Sequence, residues 1–140
     1  MFRVVLDTNV LIAAMRSRRG TSHLLLSLIG DDRWQVSLSV PLLLEYEDVL
    51  KRPEAGLTLT PAEIDDVLDF LCAIANLREI FYLWRPVLRD PTDDFILELA
   101  VESDCDFIIT FNVKDFVGIE DFGLAAITPR DFLRLLGEIK

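Results

Sequence analysis

A single aspartate stands between two apolar segments near the start of the chain. The stretch "RVVLDTNVLIAAM" places Asp7 after the apolar residues 4–6 and before the largely apolar residues 10–15. A carboxylate at the junction of two hydrophobic segments is costly to bury unless another group pairs with it. Because neither a turn nor a helix cap requires an acid here, we expect Asp7 to have a function.

Other acids follow the same arrangement, in which polar residues come where a strand ends or a helix begins. They are Glu45 and Glu47 after the second expected strand, Asp93 and Asp94 in the first turn of a later helix, and Asp115, with Asn112, after residues 107–111. If the strands are parallel, these groups meet at one edge of the sheet. Hard oxygen ligands without histidine or cysteine favour Mg²⁺ or Mn²⁺ over Zn²⁺.

Each of these residues also has a purely structural interpretation. Asp93 or Asp94 could complement a helix dipole, Asp115 could be an ordinary loop residue, and Glu45 could be a solvated helix residue. Helix geometry does not choose between Glu45 and Glu47, which flank the apolar face of their helix at similar angles. Asn9 is expected either to brace the Asp7 carboxylate or to cap the helix that it precedes.

The elements that must position these acids alternate between strand and helix. We expect strands at 2–7, 34–38, 107–111 and 124–127, and a strand or extended segment at 79–83. We expect helices at 9–16, 21–30 and 41–52. Three further helices are expected to begin at "TPAE" (60–63), to run from "DPTDD" to about 103, and to cover "TPRDFLRLL". "TPAE" is a capping box with proline at the first helical position. The alternation predicts an α/β fold, a three-layer α/β/α sandwich with a central parallel sheet.

Length and composition narrow the class of protein. The 140 residues predict a single domain over 1–140, and a hydrophobic content of 51% argues against disorder. The net charge of −10 disfavours a DNA-coating protein, although clustered acids would bind cations. No apolar run reaches the roughly 18–20 residues that a bilayer requires, and no signal peptide is evident. Cys72 and Cys105 lack metal-site spacing, so we expect reduced core residues of a cytoplasmic protein with no membrane contact.

Several other chemistries lack their residues. The only histidine, His23, lies at a helix start and is expected to be structural, so nucleophilic triad chemistry is poorly supported. No glycine-rich nucleotide-binding motif occurs. A haloacid-dehalogenase-like enzyme needs a second acid two residues after the first, where this chain has Asn9. A receiver domain normally begins with an adjacent acid pair, whereas Asp7 stands alone.

Read together, these segments resemble the PIN-domain family, whose best-known members are VapC-type toxins of toxin–antitoxin pairs. The resemblance covers nearly the whole chain in order. It rests on "VVLDTNVLIAA", "LSVPLLLEYEDVLKRP", "RDPTDDFILELAVESDCDFIITFNVKDF" and "ITPRDFLRLL".

The resemblance implies a role for individual residues. It singles out Glu45 rather than Glu47, and it implies catalytic roles for Asp7, Glu45, Asp94 and Asp115. It implies that Asp7 and Asp94 bind the metal, with Asp93 as a neighbour. It also implies supporting polar roles for Asn9, Thr110 and Asn112. In such a site the carboxylates would fix one or two metals, and an acid such as Glu45 would orient or deprotonate the attacking water.

The family also implies a function and partners. It implies Mg²⁺- or Mn²⁺-dependent cleavage of single-stranded RNA by a homodimer that a small antitoxin protein inhibits. Many members have an aspartate where this chain has Asn112. A catalytically degenerate PIN-like domain that binds RNA or protein is therefore the alternative.

Overall fold

The computed structural model describes residues 1–77 and 91–140, in which strands and helices alternate. The strands are β1 (Phe2–Leu6), β2 (Trp34–Leu38), β3 (Asn76–Leu77), β4 (Phe107–Ile109) and β5 (Ala125–Ile127). The α-helices are α1 (Thr8–Arg16), α2 (Thr21–Ser27), α3 (Val40–Leu50), α4 (Pro61–Ile74), α5 (Pro91–Glu102) and α6 (Pro129–Leu136). Short 3₁₀ helices span Pro53–Ala55, Val113–Phe116 and Ile119–Phe122.

The strands form one parallel sheet in the order β3-β2-β1-β4-β5. Strand β1 is central, with Val4 opposite Val36 of β2 and opposite Phe107 of β4. The chain moves outward from β1 to β3 and then returns to the other side of β1 with β4. The expected three-layer sandwich with a central parallel sheet is confirmed, and helices flank this sheet.

Most of the expected elements are present, and some of them end earlier than expected. The expected helix at 21–30 ends at Ser27, and the strand expected at 107–111 ends at Ile109. Thr110, just beyond this strand end, bonds through its side chain to Asp7 after β1, as described below. The "TPAE" capping box is confirmed, since Thr60 and Glu63 each accept a hydrogen bond from the other's backbone N–H. The segment expected at 79–83 lies outside the described residues.

The edge of the sheet where the strands begin is closed by aromatic packing. The ring of Phe132 on α6 packs edge-on against Phe2 of β1, Trp34 of β2 and Phe107 of β4, with centroids 5.4–6.0 Å apart. Beside it, the Arg33 guanidinium contacts both Asp31 (2.8 Å) and Glu138 (2.5 Å). These contacts attach α6 and Glu138 to the edge where the strands begin.

None of the helices in the described part of the chain is long and apolar enough to span a membrane.

Candidate functional site

The strand order creates a switch point between β1 and β4. The connections that leave these two neighbouring strands run in opposite directions along the sheet. In open parallel sheets, ligands bind at such a point, just beyond the carboxyl ends of the strands. Asp7 directly follows β1, and Thr110 directly follows β4.

Asp7 and Thr110 are joined across this switch point. The Thr110 hydroxyl donates to Oδ2 of Asp7 at 2.7 Å and accepts from the backbone N–H of Asn112 at 3.0 Å. It also accepts from the Asn9 side-chain amide at 3.5 Å. A hydroxyl has one donor and two acceptor positions, so its proton is directed at the carboxylate. With Asp7 only 8% exposed and Thr110 fully buried, this hydrogen bond orients the carboxylate.

One expectation about this segment holds, and one needs correction. Asp7 occupies the N-cap position of α1, although its side chain makes no capping hydrogen bond and bonds to Thr110 instead. Asn9 neither caps the helix nor bonds to Asp7. Helix α1 begins at Thr8, one residue earlier than expected, so Asn9 lies inside it. The Asn9 side chain donates to Thr110 and accepts from the backbone N–H of Phe111 at 3.4 Å.

Tyr46 is a residue of this site that the sequence analysis did not identify. Its hydroxyl is buried and donates to the carbonyl oxygen of Leu6, the residue before Asp7. Burial, and secondly the negative charge of Asp7, raises the pKa of Tyr46 well above its ordinary value. A tyrosine at an otherwise aliphatic core position, directly after Glu45, is the signal that could have identified it.

The two glutamates of α3 have different surroundings. Glu45 is half-buried, whereas Glu47 is exposed, with its carboxylate 3.9 Å from the Lys51 ammonium. Lys51 also contacts Asp65 of α4 at 2.7 Å. Glu47 therefore belongs to a solvated charge network between α3 and α4, which leaves Glu45 as the candidate for a role in the site.

Helix α5 supplies buried acids. It crosses from β3 back to β4, so it runs against the strand direction and its first turn lies toward the edge where the strands end. Asp94, in this turn, is 8% exposed, and Glu98, one helical turn later, is 4% exposed. The sequence analysis missed Glu98, whose four-residue spacing from Asp94 in an apolar stretch was the available signal. The side chain of Asp93 lies outside the described residues.

The remaining two predicted residues lie in the loop after β4. Asn112 and Asp115 are exposed, and the backbone N–H of Asp115 donates to the carbonyl oxygen of Asn112 at 2.9 Å. This places Asp115 in the short 3₁₀ helix Val113–Phe116 that follows the strand. Both residues are thus near the edge that carries Asp7, on its solvent side.

The described residues fit a hydrated magnesium site better than a closed metal cage. Among the side chains described, no three acids, histidines or cysteines lie close enough together to enclose a metal ion. Mg²⁺ usually keeps several waters and binds through one or two carboxylates plus substrate phosphates. In such an arrangement, the nearly buried carboxylates of Asp7 and Asp94 would be the hard oxygen donors.

Other residues have the structural roles that the sequence predicted. Nδ1 of His23 is hydrogen-bonded to the carbonyl oxygen of Ala14 at 3.2 Å, which joins α2 to α1. Cys72 and Cys105 are free thiols. Burial raises the pKa of Cys105 to about 11, so this thiol is unreactive at neutral pH.

Comparison with known proteins identifies related folds. A family model described as the PIN domain matches residues 3–114. Two similar solved structures are VapBC2 from Rickettsia felis bound to a DNA fragment from their promoter and VapBC-1 from nontypeable Haemophilus influenzae. The first is 15% identical with a TM-score of 0.60, covering 90% of this chain and 99% of the other. The second is 19% identical with a TM-score of 0.61, covering 92% and 99%. No curated protein matches.

Proposed function

The chain belongs to the PIN-domain family, and from this premise we propose that it is a metal-dependent endoribonuclease that cleaves single-stranded RNA in the cytoplasm. The observation that carries the proposal is the Asp7 carboxylate, buried at the β1–β4 switch point and oriented by Thr110. A divalent ion bound there would polarise the scissile phosphate and activate a water.

In this proposal each acid of the site has one role. Asp7 and Asp94, with Asp93 as neighbour, hold Mg²⁺ or Mn²⁺ through carboxylate oxygens. Glu45, on α3, orients the attacking water or accepts its proton. Asp115 completes the acidic cluster from the solvent side.

The test is RNA cleavage by the purified protein with Mg²⁺, with Mn²⁺ and with a chelator. We expect cleavage with either metal only, and its loss in Asp7→Asn and Asp94→Asn. Asp66→Asn makes the same chemical change at an exposed acid of α4 and should leave cleavage unchanged. The metal should also raise the free energy of unfolding of the wild type by about 2.7 kcal/mol at roughly a hundredfold excess of metal over Kd. The thermal midpoint should rise accordingly. Cleavage by Asp7→Asn at the wild-type rate contradicts the assignment.

A second candidate is a non-catalytic PIN domain that binds RNA or a protein. The observation that favours it is Asn112, an amide at the exposed position after β4 where a carboxylate would add a further metal ligand. RNA binding without metal-dependent cleavage would favour this alternative. Cleavage restored by Asn112→Asp would show that the amide at this position causes the lack of activity.

We further propose that this chain is a toxin component, acting as a homodimer, with a small antitoxin protein as its partner. The two similar structures are described as VapBC2 and VapBC-1. An antitoxin arginine could pair with two carboxylates of the site and block the metal position. Most leucines of α2 and α3 face the core, but Val40 and Leu44 are 66% and 59% exposed on α3. Co-purification with the product of an adjacent small gene, followed by cleavage assays, tests this; undiminished cleavage in the complex contradicts it.

A further inference from the structure

The hydroxyl of Tyr46 is a polar group placed in the core. Tyr46 is 1% exposed, and phenylalanine would fill nearly the same volume without a polar atom. Burying a hydroxyl is unfavourable unless it makes a hydrogen bond. This hydroxyl donates to the backbone carbonyl of Leu6, 40 residues earlier in the chain. The hydrogen bond therefore joins helix α3 to the last residue of β1.

The peptide unit that receives this hydrogen bond also contains the backbone nitrogen of Asp7. The carbonyl of Leu6 and the N–H of Asp7 lie in one plane, because the peptide bond between them has partial double-bond character. In the opposite direction within this plane, the N–H of Asp7 donates to the carbonyl oxygen of Ile109 in β4 at 2.9 Å. The Leu6–Asp7 peptide is thus held by α3 from one side and by β4 from the other.

We propose that Tyr46 is a positioning residue of the nuclease site, which fixes the Asp7 backbone relative to helix α3 and hence relative to Glu45. This inference rests on the proposed function. Glu45 precedes Tyr46 on α3, so one hydrogen bond sets the relation between the acid on the helix and the acid at the strand end. Thr110 orients the Asp7 side chain, and Tyr46 orients the peptide from which that side chain extends.

The experiment removes this hydroxyl with Tyr46→Phe and compares the variant with a control that alters the core away from the site. Phe132→Leu is suitable, because Phe132 packs on Phe2 and Trp34 where the strands begin, at the edge opposite the site. Three quantities are measured below the melting range of all proteins. They are the affinity for Mn²⁺ by calorimetry without RNA, kcat and KM on a single-stranded RNA, and the hydrogen exchange rate of the Asp7 amide.

We expect Tyr46→Phe to bind Mn²⁺ several-fold more weakly and to exchange the Asp7 amide faster. Its kcat should fall about tenfold with KM changed by less than about twofold, since misplaced groups slow the chemical step. Phe132→Leu should match the wild type in all three measurements. Equal Mn²⁺ affinity and equal Asp7 exchange in Tyr46→Phe and wild type overturn the proposal, as does an equal loss in both variants.

The outcomes separate this inference from the proposed function. If the wild type binds Mn²⁺ but cleaves no RNA, the ribonuclease proposal fails, and weaker Mn²⁺ binding by Tyr46→Phe still supports the positioning role. If the wild type cleaves RNA and Tyr46→Phe matches it in metal affinity and kcat, the ribonuclease proposal stands and the positioning role is wrong. If Tyr46→Phe does not fold, amide exchange in the wild type decides: an Asp7 amide that exchanges as fast as those of exposed loops overturns the proposal.

Discussion

The hydrogen bond from Thr110 to Asp7 should stabilise the fold through the charge of the carboxylate. Thr110→Val removes the fully buried hydroxyl and keeps a branched side chain of similar size. A hydrogen bond to a charged group contributes about 1.5–3 kcal/mol. The exposed Asn112, whose N–H also loses its acceptor, can bond to water instead. We therefore expect Thr110→Val to lower the free energy of unfolding by about 2 kcal/mol.

This loss corresponds to a measurable change in thermal midpoint. At roughly 2.1 cal/mol/K of unfolding entropy per residue, a chain of 140 residues has about 0.3 kcal/mol/K, so the midpoint should fall by about 7 °C. Circular dichroism in chelator at neutral pH measures it without metal. The matched control is Thr8→Val, since the buried Thr8 hydroxyl has no hydrogen-bond partner among residues 1–77 and 91–140. It should be neutral or stabilising.

A double-mutant cycle isolates the contribution of the charge. In an Asp7→Asn background the same hydrogen bond is between neutral groups and contributes only about 0.5–1.5 kcal/mol. Thr110→Val should therefore cost about 1 kcal/mol less there than in the wild type. If the two costs agree within about 0.5 kcal/mol, the residues act independently and the reasoning is refuted. A loss in Thr8→Val as large as in Thr110→Val refutes it as well.

Two further predictions concern stability away from the site. The side-chain hydrogen bond from Arg33 lowers the pKa of Asp31 from 3.8 to about 2, so Asp31 contributes stability above its unfolded pKa and loses it as the pH falls toward 2. The difference in thermal midpoint between wild type and Asp31→Asn should be full at neutral pH and vanish near pH 2; a difference that is constant with pH contradicts this. Thr60→Ala removes the N-cap of α4 and should cost about 1 kcal/mol in urea unfolding without changing RNA cleavage per folded molecule. A loss of cleavage in this variant would show that α4 is coupled to the site.

Local sequence patterns predicted the parts of this protein that depend on local chemistry. The β-rich run at 107–111 and the capping box at Thr60 are determined by residues within a few positions of each other. The meeting of Asp7 with polar residues after β4 was also predictable, because residues that follow neighbouring parallel strands lie at one edge. The role of Thr110 came only from the family resemblance, because the expected strand included it. The periodicity of α3 could not choose between Glu45 and Glu47, since that choice depends on how α3 packs against α4.

The hydrogen-bond partners within the site could not be predicted in the same way. Asn9 bonds to Thr110 and Phe111, and Tyr46 bonds to Leu6, across separations of 40 to 102 residues. Such contacts depend on the register of the sheet and on the exact helix start, which shifted here by one residue. Asn9 lies in the first turn of α1, and its contacts are set by how this turn packs beside the end of β4.

The central position of β1 has a consequence for the order of events during synthesis. Asp7, directly after β1, is synthesised 103 residues before its hydrogen-bond partner Thr110. At about 5–20 residues per second, this interval is about 5–20 s. A nascent chain therefore holds Asp7 at an unpaired sheet edge until β4 is added. Under the proposed function, the site would therefore lack the contact between Asp7 and Thr110 until β4 has been synthesised.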